Sequence, residues 1–108
     1  MAAVADRSVS CDVVKIVDET DLIVVRQMLR SHARAAGLSL VEETKFITAG
    51  SELARNIVTH TTSGRGEVVI EHLDDGARVG VRASFADEGP GIANLDAALT
   101  AIRSEFPT

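Results

Sequence analysis

Tryptophan and tyrosine are absent from this 108-residue chain, and phenylalanine occurs only three times. A core must therefore be assembled from Val, Ile, Leu and Ala, and the aromatic platforms on which single-stranded nucleic acids stack are missing. Cysteine occurs once, at Cys11, which excludes an internal disulfide and fits a reducing, cytoplasmic setting. Basic residues are in the minority, 11 Lys and Arg against 16 Asp and Glu, for a formal net charge of −5. That balance carries no basic footprint and argues against nucleic acid as a partner. No apolar run approaches the ~18 residues of a membrane-spanning helix, so a membrane role is not expected. The start, Met1-Ala2-Ala3-Val4-Ala5-Asp6, has neither the basic nor the long apolar region of a signal peptide. The remaining composition, 45% hydrophobic and 25% charged, is that of an ordinary globular domain.

The expected organisation is a tail over 1–10 and a single domain over 11–108. Val13, Val14, Ile16 and Val17 predict a strand over about 11–17. Thr20 reads as an N-cap, and Leu22, Val25, Met28 and Leu29 follow at helical spacing, which predicts a helix over about 21–36 with Gly37 as its stop. Arg26, Arg30 and Arg34 recur every fourth residue on its outer side, and His32 reads as helix surface. Ser39-Leu40-Val41-Glu42 is a capping box opening a second helix, buried through Phe46, Ile47, Leu53, Ala54, Ile57 and Val58 and ending near His60. The Gly64-Arg65-Gly66 stretch reads as a flexible connector, and Cys11 as a small core residue. Glu67–Leu73 and Ala77–Ala86, joined by Asp74-Asp75-Gly76, predict a β-hairpin. Leu95, Ala98, Leu99 and Ile102 suggest a last short helix. The order β-α-α-β-β-α predicts a two-layer α/β sandwich, its sheet mixed but mostly antiparallel, with helices on one face.

Two groups of residues carry chemistry. Glu52 and Asn56 lie one helical turn apart on one face. A carboxylate and an amide oxygen so placed can share a hard cation such as Mg²⁺. Alternatively the carboxylate takes a proton while the amide holds the metal. Asp87 keeps the parity of Val79, Val81, Ala83 and Phe85, which aims it at the helix layer, where a carboxylate needs donors. An amino-bearing ring such as adenine would supply one, and Gly89 and Gly91 would let the backbone approach a flat ligand. The competing reading is that Asp87-Glu88-Gly89-Pro90-Gly91 forms a plain exposed turn.

In this order, Glu-x-x-x-Asn on a helix, a hairpin, then Asp-x-Gly-x-Gly, the chain resembles the GHKL ATPase/kinase superfamily, with its Bergerat fold. Glu52-Leu53-Ala54-Arg55-Asn56 is similar to the N box of that superfamily, and Asp87-Glu88-Gly89-Pro90-Gly91-Ile92 to its first glycine box. Asp21-Leu22-Ile23-Val24-Val25-Arg26-Gln27 and Ser51-Glu52-Leu53-Ala54-Arg55-Asn56-Ile57 look like the RsbT branch, the serine/threonine kinases of bacterial stress signalling. The resemblance covers roughly residues 10–100. It implies ATP and Mg²⁺ as cofactors, with Asn56 holding the metal and Glu52 acting as general base on a serine or threonine hydroxyl. Asp87 would accept from the adenine amino group, with Gly89, Gly91 and Ile92 in the adenine pocket. It also implies STAS-domain antagonist or scaffold proteins and a PP2C-type phosphatase as partners, in a partner-switching, sigma-factor-regulating pathway.

The family carries a lid and a second glycine-rich box after the first. Here all eight glycines lie at or before Gly91. A deletion, a frameshift or early stop, and an unrecorded lid all account for this. Under the first two, ATP binding is expected to be weak and kinase activity small, which leaves a protein-binding switch module on the same fold as the alternative function.

Overall fold

The structure, a computed structural model, describes residues 8–60, 65–88 and 93–103. The elements run β1 (Ser8–Ile16), α1 (Asp21–Ala35), α2 (Leu40–His60), β2 (Gly66–Asp74), β3 (Val79–Glu88) and β4 (Ala93–Ile102). The four strands form one sheet in the order β1-β2-β3-β4, and every pairing is antiparallel. α1 and α2 pack on each other and on one face of the sheet, α1 chiefly over β1 and β2, α2 chiefly over β4 and β3. This is the expected two-layer α/β sandwich, with its sheet antiparallel throughout.

Alternation builds the core. Val14 and Ile16 of β1, Val68 and Ile70 of β2, and Val81, Ala83 and Phe85 of β3 are buried, and they meet Val25, Leu29 and Ala33 of α1 and Phe46, Ala54 and Ile57 of α2. Gly50 lets α2 approach closely: a Cβ there would stand 2.6 Å from Leu29 Cδ1 and 3.5 Å from Phe85 Cζ.

Several helix ends follow the sequence. Gly37 takes φ +78°, its N–H donates to Arg34 O (3.0 Å), and the Leu38 N–H donates to Ala33 O (3.1 Å), a Schellman stop. The capping box forms: Ser39 N–H donates to Glu42 Oε1 (2.9 Å) and Glu42 N–H donates to Ser39 Oγ (3.2 Å). In the hairpin, Gly76 takes φ +89°, and Asp75 Oδ1 accepts from the N–H groups of Arg78 (2.7 Å) and Ala77 (3.0 Å). Those donors hold the Asp75 carboxyl below the usual aspartate range.

Five expectations are corrected. The stretch read as a last helix is the strand β4, which pairs along β3 from Glu88↔Ala93 to Gly80↔Ile102. Leu95, Ala98, Leu99 and Ile102 mimic helical spacing, but the open edge of β3 offers a full ladder of backbone partners. Thr20 is itself in helical geometry and its side chain caps nothing. Asp18 takes that role: its Oδ1 accepts from the Thr20 hydroxyl and from the Thr20 N–H (2.9 Å), which lowers its pKa below the usual aspartate value. His32 is buried, because it falls seven residues after Val25 on the core stripe, and its Nε2 lies 2.7 Å from Asp12 Oδ2 on β1. Cys11 is exposed, since it has the parity opposite to Val14 and Ile16. Gly66 is no connector: it opens β2, paired with Ile16 on one side and Asp87 on the other.

Candidate functional site

The C-terminal half of α2 carries Glu52 and Asn56. Earlier on the same helix, Glu42, Lys45, Phe46 and Ala49 line a cleft with Leu99, Thr100, Ala101 and Ile102 of β4. Positions seven apart lie on one face of an α-helix, so Asn56 continues the stripe of Glu42 and Ala49, and Glu52 continues that of Lys45. Both are exposed. Because β4 runs antiparallel to β3, moving along α2 towards His60 means moving along β3 towards Glu88.

Asp87 stands at that end of β3, half-buried. It pairs with Gly66 on β2 without any register shift, so it retains the helix-facing parity of Ala83 and Phe85. Gly66 is the point at which strand end and helix converge. A Cβ there would lie 3.0 Å from Ile57 Cγ2 and 3.1 Å from Asp87 Cα, and would overlap the Ala86 carbonyl oxygen. Ile57 follows Asn56 directly, so the helix segment with Asn56 and the strand end with Asp87 occupy the same end of the sandwich. Glu52 lies one turn further back, on the rim of a groove between α1 and α2. Gly89, Gly91 and Ile92 lie outside the described residues.

Among the described residues, none donates a hydrogen bond or forms an ion pair to the side chain of Glu52, Asn56 or Asp87. A half-buried carboxylate without a donor among the described residues is able to take one from a ligand. The described residues hold no cluster of three or more His, Cys, Asp or Glu placed to bind a metal, so a cation here would need oxygens from its ligand as well, as Mg²⁺ on a nucleotide has.

Sequence reasoning missed Gly66. Its signal was a glycine at the first position of a strand, which marks close backbone approach. Also missed was Ser51, whose hydroxyl is buried and has no hydrogen-bond partner among the described residues; its position three residues before the buried Ala54 was the available sign.

The chain is similar to the serine/threonine-protein kinase RsbT of Bacillus subtilis. The two are 37% identical over 82 residues, which is 76% of this chain and 60% of that protein. This chain therefore spans about 60% of the length of the relative that it matches. No protein-family model and no solved structure matches it. None of the helices among the described residues is long and apolar enough to cross a membrane.

Proposed function

We propose that this chain is a serine/threonine protein kinase of the RsbT type on a GHKL nucleotide-binding fold, transferring the terminal phosphoryl group of Mg-ATP to a STAS-domain antagonist or scaffold protein. The observation that carries the reading is the meeting at Gly66 of the Asn56 segment of α2 with the Asp87 end of β3, Asp87 having no donor among the described residues. The similarity to RsbT supports it. The missing side chain at Gly66 is what lets the helix and the strand end come this close.

Each residue then has one task. The Asp87 carboxylate would accept from the exocyclic amine of adenine and so orient the base. The Asn56 side-chain oxygen would hold Mg²⁺, which would supply charge neutralisation on the phosphate oxygens. Glu52 accepts the proton of the attacking hydroxyl while the new O–P bond forms and the bond to the leaving diphosphate breaks. Phosphoryl transfer depends on positioning and charge neutralisation, so a site made of few groups suffices. The phosphorylated product would return through a PP2C-type phosphatase in a cytoplasmic partner-switching cycle.

Calorimetric titration of Mg-ATP tests this. The parent chain binds, and Asp87→Ala and Asn56→Ala each weaken binding by about tenfold or more, the loss expected for one charge-assisted contact. Glu52→Gln retains nucleotide but fails to label a STAS-domain protein from radioactive ATP. No heat with the parent chain would move the assignment to a non-catalytic binding module, and undiminished labelling by Glu52→Gln would remove Glu52 as base.

A further inference from the structure

The cleft between α2 and β4 lies towards the start of α2, away from Asn56, and none of its lining residues belongs to the proposed nucleotide site. It measures about 270 Å³, with Glu42, Lys45, Phe46 and Ala49 on the helix side and Leu99 to Ile102 on the strand side. β4 is the last strand in the order β1-β2-β3-β4. Alternate N–H and C=O groups of β4 face β3, and the others point outward, away from the sheet. Among the described residues, none bonds to those outward groups between Ala98 and Ile102.

The two edges of the sheet differ. β1 carries Asp12 and Lys15 and a register irregularity between Ser8 and Ser10, devices that keep an edge from pairing with a further strand. β4 has none of them from Ala98 to Ile102: this run holds no charge and no proline, and its register with β3 is unbroken. Leu99 and Ala101, paired with Ala83 and Val81, are half-buried on the helix face, while Ala98 and Thr100 are exposed on the open face. The flank of α2 above decides what fits. Glu42 and Lys45 stand one turn apart on it with opposite charge, and Lys45 is exposed and makes no ion pair among the described residues. An antiparallel copy of the same edge reverses their order, so that each acid meets a base.

We infer that the β4 edge is the pairing surface for a second copy of this chain. The two β4 strands run antiparallel about a twofold axis at Thr100 and join the two sheets into one of twice the width. With a residue on the axis like faces meet, so the helices of both copies stay on the same side. Leu99 of one copy lies opposite Ala101 of the other and enters the cleft beneath its α2. At the rim, Glu42 and Lys45 of one copy meet Lys45 and Glu42 of the other. The contact is independent of nucleotide.

The test uses the whole chain, without ATP, in sedimentation and amide hydrogen exchange over a range of concentrations. The mass is expected to rise to twice that of the monomer, with exchange slowing at residues 98–102 and unchanged in β1. Thr100→Lys sets two like charges opposite each other at the axis and is expected to weaken dimerisation by about tenfold or more. Lys45→Glu weakens it by a few-fold, and Val13→Lys on the other edge leaves it unchanged. In a Cys11→Ser background, Thr100→Cys is expected to form a disulfide-linked dimer under mild oxidation, because Cα atoms opposite each other in an antiparallel pair lie within disulfide reach; Val13→Cys does not. A chain that stays monomeric up to about 1 mM overturns the proposal. So does a dimer indifferent to Thr100→Lys, or one whose exchange slows in β1 instead. A monomer whose amides at 98–102 are already protected also overturns it, and would put the chain's own residues on that edge. If Thr100→Lys does not fold, the cross-link and the exchange map of the parent chain decide.

Discussion

Gly66 holds a position that any side chain would disturb. Its Cβ would run into the Ala86 carbonyl oxygen, which is backbone and has little freedom to yield, and would press on Ile57 and Asp87. Gly66→Ala is expected to cost about 1–3 kcal/mol, the range for forcing atoms into a packed site, read as a lowered urea midpoint at unchanged slope. Unaltered stability would show that the strand end and helix do not approach so closely. The direction of Asp87 was legible in the sequence, because strand parity is a strict period of two and the β2–β3 register carries no bulge. Gly66 was not, because a glycine between Arg65 and Glu67 looks the same in a turn and in a strand that must pass under a helix. His32 was misread because its polarity suggests solvent, although its spacing from Val25 and Leu29 is that of the buried stripe.

At the start of α1, a carboxylate does the work expected of a threonine. Asp18 accepts from the Thr20 hydroxyl and N–H, and Asp21 Oδ2 accepts from the N–H groups of Val17 (2.8 Å) and Asp18 (3.2 Å). The folded pKa of Asp18 is depressed by the Thr20 hydroxyl first and the Thr20 N–H second. Its stabilisation is therefore complete above the unfolded aspartate value of about 3.9 and is lost as pH falls through the lower folded value. Amide exchange at Asp21, Leu22 and Ile23 should quicken relative to the centre of α2 as pH drops below about 4, after correction for intrinsic rates. Asp18→Asn, which keeps an acceptor oxygen but cannot titrate, should remove that pH dependence; an unchanged profile would assign it elsewhere. Both helices and the β2–β3 hairpin were legible because their signals are local: caps, a 3.6-residue period, an Asp-Gly turn. β4 was not, since an alanine-rich segment owes its strand conformation to the neighbouring β3 rather than to its own preference.

Among the described residues the two layers are joined by extensive apolar packing, with a polar tie at the outer strand. His32 on α1, 6% exposed, meets Asp12 on β1 at 2.7 Å. Among the described residues β1 pairs with a neighbour on one side only, at the sheet edge. His32→Ala is expected to cost about 2 kcal/mol, from the lost hydrogen bond together with the cavity left behind. Hydrogen exchange should show the loss more strongly in β1 than in the β2–β3 pair; an even loss over the sheet would mean that His32 contributes to general packing and not to this tie. The layered architecture was legible from the alternation of β2 and β3 and the one-sided stripes of the helices. The pairing of His32 with Asp12 was not, for it joins residues that are distant in the chain and gives no local sign.

α2 runs for 21 residues without a break, and it forms a wall of the cleft beside β4 as well as of the groove beside α1. One rod thus borders a hollow on either flank. Any tilt or slide that suits a visitor on one flank reshapes the other, so two occupants would sense each other through a shared beam, with no messenger segment between them, and each would alter the hold of the other by the same factor.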